Sequence, residues 1–477
     1  MSAKEHSSHT PTTRNKALEI NKDVAFYGSF AEIGAGQEVA RHFFQAGLAS
    51  QTVAKSMSAY DKSFSDAIYG KGTRFVSEDR LLQMLKHEFE LLEERLVERK
   101  SNTGFFAFAN TVATSSHEEI PSCHGWMGIR FQKRPGGPVN SAIIHVRMLD
   151  RLRLQQQEAL GILGVNLIYS AYKHLDAGGP ELVSSLLDNL SKDRIEVNFV
   201  RFSGPDAEHI DNRLMSLELV RNDMTRAVLF APHGDTLSIA DTLYKKSVVI
   251  QRGTFRPVTL TNEKILKAGF SQAQSELKIE TKDLVVLMEL TMTALRAGDI
   301  NDGTIKGEVD KKDFLDRVDT LCALGHHVLI SNFPLFSQVH VELRKFTSEY
   351  ILMVIGGITL QGLFDPKFYN KFPGGIMAAY GHMFDQKTRL YVFPYKSGST
   401  SLSAQTFTPE PSLHHLYQHL MANKIIVDMQ HCEEETTGLR SDDVRKLLSA
   451  GNPKWEEMVP KTACELIKKR KLFGYKG

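Results

Sequence analysis

Hydrophobic positions along this chain repeat with two different periods. In "SEDRLLQMLKHEFELLEERLVERK", Leu81, Leu82, Leu85, Phe89, Leu92 and Leu96 fall at helical spacing, and Ser77 followed by Glu78 and Asp79 supplies a helix start. "QQQEALGILGVNLIYSAYKHL" predicts a second long helix. "TGFFAFANTVA", "SAIIHVRML" and "RIEVNFVRF" concentrate aromatic and β-branched residues instead and predict strands, the last ending at Ser203-Gly204-Pro205. Between the first two lies "CHGWMGIRFQKRPGGPVN", whose Pro-Gly-Gly-Pro end is a turn. "SVVIQRGTFRPVT" reads as an edge strand or a loop, because Pro257 cannot donate to a ladder.

From Asp283 the alternation becomes regular. "LVVLMEL", "HHVLISNF", "YILMVIGG" and "RLYVFPY" predict strands, with "KKDFLDRVDTLCALG" and "PLFSQVHVELRKF" as helices between them and two helices after the last strand. Strands alternating with helices at these lengths predict an α/β fold. Residues 276–477 are expected to form a doubly wound, mainly parallel Rossmann-like sheet, preceded by an N-terminal α/β domain over residues 23–275. The boundary is placed in the polar "SQAQSELKIETK". Residues 1–22 are polar, without the apolar core of a signal peptide, and read as a disordered, solvated tail.

Bulk composition narrows the function classes. A chain of 477 residues calls for more than one core. A net charge of +2, from 58 basic and 56 acidic groups, argues against a nucleic-acid surface. It also supplies little self-repulsion, so a homo-oligomer is expected. Four cysteines without a CxxC pair exclude a disulfide framework or zinc ribbon and fit a reducing cytoplasm. No apolar run reaches the roughly 18 residues of a membrane-spanning helix, so no membrane partner is expected.

Two stretches carry candidate chemistry. "VAFYGSFAEIGAGQEVARHFF" has the pattern of a strand, a small-residue loop and a helix, the arrangement that cradles phosphate. In "LRSDDVRKLLSAGNPKWEEMVPKTACELIKKRKLFGY", Ser441 is the expected N-cap and Gly451 the stop of a short helix. Its N-terminus can hold an anion, with Arg445 one turn inside.

The second stretch resembles the C-terminal signature of nicotinate-nucleotide adenylyltransferases, within the nucleotidylyltransferase-like family. There an Ile-Ser-Ser-Thr-x-x-Arg motif opens a helix that binds the ATP phosphates, and a turn, a Val-Pro and a terminal helix follow. Ser441, Arg445, Gly451, Val459 and Pro460 match in order and spacing. The resemblance implies ATP with Mg, and adenylyl transfer to nicotinate mononucleotide. The same family carries a loop of the form Gly-Ser-Phe-x-Pro-x-His-x-Gly-His after its first strand. "GSFAEIGAGQ" matches it at Gly28, Ser29, Phe30 and Gly36, but Gly34 and Gln37 stand at the histidine positions. Counting back from the C-terminal signature instead puts the loop at "GTIKGEVDKKDFLDRV", also without the histidines. Both placements stay open.

Asp442 and Asp443 follow Ser441 where the family has a small hydroxyl residue, and two carboxylates in a first helical turn oppose a phosphate. The resemblance is therefore to a large, divergent bacterial branch with degenerate motifs. It implies a nucleotide-binding protein whose transfer activity is lost or changed, a pseudoenzyme candidate. The alternative is a non-catalytic, self-assembling scaffold that reuses the fold.

Other motifs read as structural. Cys123 and His124 are adjacent and point to opposite faces of an extended chain, which leaves a structural thiol. "GDINDGTIKGEVD" fails as a calcium loop, because Gly298 and Ile300 fall at ligand positions when Gly303 is the turn glycine. His326-His327 has no third ligand, and no metal set is expected. Lys245, Lys246, Arg252 and Arg256 read as a solvated edge or an anion patch, and "ELIKKRK" as a solvated helix face.

Overall fold

The computed structural model describes residues 10–34, 36–72, 74–114, 123–296, 307–397, 400–430 and 439–476. It divides into two compact units, Met1–Thr225 and Arg226–Gly477. Both are α/β. Among the described residues no helix is long and apolar enough to cross a membrane.

The first unit is built on six strands: β1 (Phe26–Gly34), β2 (Val53–Met57), β3 (Gly104–Ala113), β4 (His124–Gln132), β5 (Val139–Met148) and β6 (Ile195–Ser203). They lie in the order β2-β1-β3-β4-β5-β6. β1 pairs parallel with β2 and β3, and the remaining pairs are antiparallel. Successive side chains alternate between faces, and both faces are covered. Leu81, Met84 and Leu85 of the Glu78–Arg95 helix pack with Trp126, Ile143 and Phe199. On the other face, Tyr172 of the Arg153–Lys173 helix meets Phe106 and Phe131 edge to face. Ser77 caps the Glu78–Arg95 helix as expected, its hydroxyl accepting from Arg80 N at 3.2 Å. Leu82 turns outward to solvent rather than into this core.

The expected tail is corrected for the part the structure describes: Thr13–Lys22 is a helix with buried Ala17 and Ile20. Its polar letters hide a docked face. Lys16 is fully buried, with Nζ 2.9 Å from Asn166 Oδ1 and 2.6 Å from Asp188 Oδ2. Asn21 Nδ2 donates to the carbonyls of Phe43 and Gly47.

The second unit contains β7 (Ala227–Phe230), β8 (Thr236–Leu237), β9 (Ser247–Arg252), β10 (Leu284–Thr291), β11 (His327–Ser331), β12 (Ile351–Gly356), β13 (Thr388–Phe393), a small ribbon of β14 (Tyr395–Ser397) and β15 (Thr400–Leu402), and β16 (Ile426–Asp428). Eight of these form one sheet in the order β16-β13-β12-β9-β10-β11-β7-β8. The run from β16 to β11 is parallel throughout, and β7 and β8 add an antiparallel edge. Numbered along the chain, the six parallel strands stand 3-2-1-4-5-6, the order of a doubly wound sheet. Ile351, Met353 and Ile355 of β12 face one core. Val354 faces the Leu260–Leu277 helix on the opposite side.

The expected boundary at residues 275/276 is corrected to 225/226. "SVVIQR" is no edge strand: it is β9, the central first strand of the parallel set, with Ser247 to Gln251 buried. Pro257 lies past the strand's end, so it interrupts no ladder.

The first crossover helix lies close to its sheet. A Cβ on Gly269 would stand 2.3 Å from Val354 Cγ1. Gly269→Ala gains about 1 kcal/mol of helix propensity but forces overpacking that typically costs about 1–3 kcal/mol. Because valine is stiff at χ1, the expected outcome is a lower urea midpoint for the second unit. An unchanged midpoint would show that the helix can slide freely on β12.

Candidate functional site

β9 leaves the sheet at Gln251 and Arg252, and the next strand on its other side, β12, leaves at Gly356. Successive connections run in opposite directions from this point, so the crossover helices part and a crevice opens at the carboxyl ends of the strands. A cavity of ≈ 300 Å³ sits there, lined by Gln251, Arg252, Gly356, Phe393, Tyr395 and Arg440 among others. Gly356 has an ordinary extended conformation, and a Cβ added to it would meet nothing within 4 Å. Arg440 is exposed at the cavity's rim.

Arg252 of this wall is held from behind by a polar network. Arg252 Nε and one terminal nitrogen reach the two carboxylate oxygens of Glu289 at 2.8 and 2.9 Å. Ser331 Oγ donates to the same carboxylate at 2.6 Å. Glu289 is fully buried, so this bidentate pairing is what makes its charge tolerable. Arg252 also donates to Pro334 O and lies over the Phe336 ring.

Between β9 and its helix runs "GTFRPVTLTN". At Gly253, Phe255 and Pro257 it repeats the Gly-Ser-Phe-x-Pro-x-His-x-Gly-His form, with Thr254 in the hydroxyl position and Thr259 and Asn262 at the two histidine positions. The legible signal is the Gly-x-Phe-x-Pro spacing directly after an apolar run; reading Pro257 as an edge marker obscures it. Thr259 caps the Leu260–Leu277 helix, and the two residues satisfy each other. Thr259 N and Oγ1 both donate to Asn262 Oδ1 at 2.9 Å, while Asn262 N donates to Thr259 Oγ1 at 3.3 Å.

The helix of the C-terminal signature spans Ser441–Ser449. Its N-cap is Arg440, a correction to the expected Ser441, which is the first helical residue. Ser441 Oγ instead donates to Pro257 O at 2.8 Å, tying this helix start to the loop after β9. Among the described residues no side chain caps it. Arg445 does not line the cavity. It pairs with Asp442 at 3.4 Å, and its charge is felt by the buried Arg317. Arg317 pairs with Asp313 and donates to Thr254 O, and Arg256 closes on the same Asp313 at 2.6 Å. Gly451 ends the helix at φ +68°, and Val459 is buried in a small core with Val444, Leu448 and Trp455. Pro460 precedes the final helix.

The N-terminal candidate is overturned as a phosphate cradle. Gly28 and Ser29 stand inside β1, not in a loop. A Cβ on Gly28 would meet Phe106 O at 2.3 Å, which is why this position is glycine. Ser29 is fully buried. Gly36 packs on Asn110, whose Nδ2 donates to its carbonyl at 2.7 Å, and Gln37 Nε2 donates to Gly34 O. The start of the helix that follows is already taken by a carboxyl of the protein's own. Glu32 accepts from Val39 N at 3.0 Å and Ala40 N at 3.1 Å. Burial pushes its carboxyl up to about 7, against the opposing pull of those two amides and Asn110.

The other placement of the loop lies partly outside the described residues, which exclude residues 297–306. The helix after it, Lys311–Ala323, is capped by Asp310, whose Oδ1 accepts from Lys312 N and Asp313 N.

The remaining motifs stay apart. Cys123 is buried, and His124 Nδ1 lies 3.0 Å from His145 Nε2, with His145 lowered to about 3 by burial and held by Asn198 at 2.6 Å. His326 pairs with Glu263. Lys246 pairs with Asp283 and Lys245 lies over Tyr244, so the four basic residues of the presumed patch have separate environments. Lys468 and Arg470 pair with Glu456 and Asp319. No group of three or more His, Cys, Asp or Glu among the described residues is arranged to hold a metal ion.

No protein-family model matches the chain, and no curated protein is significantly similar to it. Solved structures similar to part of it include the competence/damage inducible protein CihA from Agrobacterium tumefaciens, at 20% identity and a TM-score of 0.25, covering 34% of this chain and 96% of that one. A CinA superfamily protein from Enterobacter cloacae matches at 10% identity and a TM-score of 0.26, covering 36% of this chain and 99% of that one. Likenesses of this depth establish no family and assign no chemistry.

The raised Glu32 carboxyl makes a signed prediction. The folded state holds this proton up to about pH 7, whereas the unfolded chain releases it near the ordinary glutamate value of 4.5. Stability from this group is therefore full below pH 4.5 and lost as pH rises toward 7, by up to roughly 3 kcal/mol. Glu32→Gln is expected to remove that slope. Urea unfolding of wild type and variant at pH 4.5 and 7.5 checks it, and parallel pH dependences would show that Glu32 titrates normally.

Proposed function

We propose that the second unit binds a nucleotide in the crevice between β9 and β12, with its phosphates toward Arg440 and the start of the Ser441 helix. The observation that carries this reading is the cavity of ≈ 300 Å³ at the point where the strand order reverses. Three features support it. Among the described residues no side chain caps the Ser441–Ser449 helix, nor the Gly357–Leu363 helix that also starts at the cavity, whereas the starts of the Val39–Ala46, Leu260–Leu277 and Lys311–Ala323 helices are taken by Glu32, Thr259 with Asn262, and Asp310. Phe393 and Tyr395 offer aromatic surface to a base. Ser441 is anchored to Pro257 in the loop that resembles the nucleotidylyltransferase form.

In this reading ATP brings its divalent cation on the triphosphate, whose charge the metal would partly neutralise. Adenylyl transfer to nicotinate mononucleotide is expected to be very slow. The family's two imidazoles stabilise developing charge, and losing one such donor typically costs about 100- to 1,000-fold in rate. Here Thr259 and Asn262 are engaged with each other, and Asp442 and Asp443 stand in the first turn of the helix nearest the phosphates. For residues 1–225 the reading is a non-catalytic role in binding or self-assembly, because Glu32 already occupies the helix start that a phosphate would need.

Gly356→Val tests the site cleanly, since its side chain enters open space and its backbone suits any residue. The expected outcome is that nucleotides raise the melting temperature of the wild-type chain and not of this variant, while the two unliganded proteins melt alike. A nucleotide shift retained in Gly356→Val would move the site elsewhere. Rapid pyrophosphate release from ATP and nicotinate mononucleotide, lost in Gly356→Val, would restore a full transferase and remove the argument for lost activity.

A further inference from the structure

The cavity wall contains a polar side chain that the fold leaves unsatisfied. Gln251 lines the cavity and is 3% exposed, and its Oε1 is buried with no hydrogen-bond partner. It sits on β9 between Met288 of β10 and Val354 of β12, in a strand whose other central residues are Val248, Val249 and Ile250. A leucine at this position would suit the strand. A buried amide oxygen without a partner instead costs about 1–3 kcal/mol, an expense that a bound donor removes. Rotation about the Cγ–Cδ bond that carries the amide is soft, so either end of the amide can turn to a ligand.

The neighbouring residue narrows what that ligand is. Purines differ along the edge that carries N7: adenine shows a donor beside an acceptor, whereas guanine and hypoxanthine show two acceptors. A primary amide matches the first edge in either flip, and a guanidinium matches the second. At this wall the guanidinium of Arg252 is held by both oxygens of Glu289 and by Pro334 O. Gln251 has no such engagement. Resting on the nucleotide reading above, we propose that Gln251 is the specificity-determining residue of the cavity, selecting an adenine base over guanine or hypoxanthine through its amino–N7 edge.

The test is calorimetric titration of the full chain with ATP, GTP and ITP at one salt concentration. ATP is expected to bind about 10- to 100-fold more tightly than ITP, the range of one bidentate base contact. Gln251→Leu is expected to weaken ATP to the level of ITP while leaving ITP unchanged. Gln251→Met, which keeps the length and removes both hydrogen-bonding groups, guards against a leucine variant that fails to fold. Equal affinities in the wild type, or a preference that survives both substitutions, would overturn the assignment while leaving nucleotide binding intact. Absence of binding by all three nucleotides would overturn the nucleotide reading and this one with it.

Discussion

Everything around the crevice depends on a buried carboxylate. Glu289 has no exposure to solvent, and its charge is matched from the two strands beside it: Arg252 from β9 donates twice, and Ser331 from β11 donates once. The network therefore staples three adjacent parallel strands at their carboxyl ends, where a sheet that twists has most freedom to splay. Removing one partner of such a pair leaves an uncompensated charge and commonly costs about 3–5 kcal/mol. The same pairing keeps the Arg252 guanidinium against Glu289, so the cationic rim belongs to Arg440.

Helix starts in this protein show how a small local choice separates a binding site from a structural cap. Glu32 folds back from β1 onto two amides of the following helix, and its cost is visible in the raised carboxyl. Thr259 and Asn262 close a reciprocal box, and Asp310 takes two amides at once. Each satisfies donors that a phosphate would otherwise need. The Ser441 helix is different because its serine reaches outward to Pro257 rather than back to its own turn. The small core around Trp455 holds that helix in place, so the C-terminal signature is a folding unit as well as a candidate ligand contact.

Much of the fold was legible in the letters. The regular alternation from Asp283 onward, with apolar runs of five to eight residues between amphipathic helices, leaves few alternatives to a parallel sheet covered on both faces. Ser77 and Gly451 announced a helix start and a helix end, because a hydroxyl cap and a left-handed glycine are local in cause. Local causes leave local signals. The Thr13–Lys22 helix escaped notice because its buried lysine reads as solvent-facing until Asn166 and Asp188, far along the chain, arrive to receive it.

The sequence by itself determined the α/β class and the parallel half, and it carries two Gly-x-Phe stretches, at Gly28 and at Gly253, of which only the first reads from the letters as a phosphate loop. Tertiary structure alone decided which of them faces a crevice. Gly28 and Gly253 have similar neighbours in sequence, yet one is pressed against Phe106 inside a strand and the other follows the strand from which the sheet winds both ways. The physical reason is that a cavity is made by absence, where two crossover connections diverge. Strand order depends on contacts among residues 247 to 428, and no short stretch carries it.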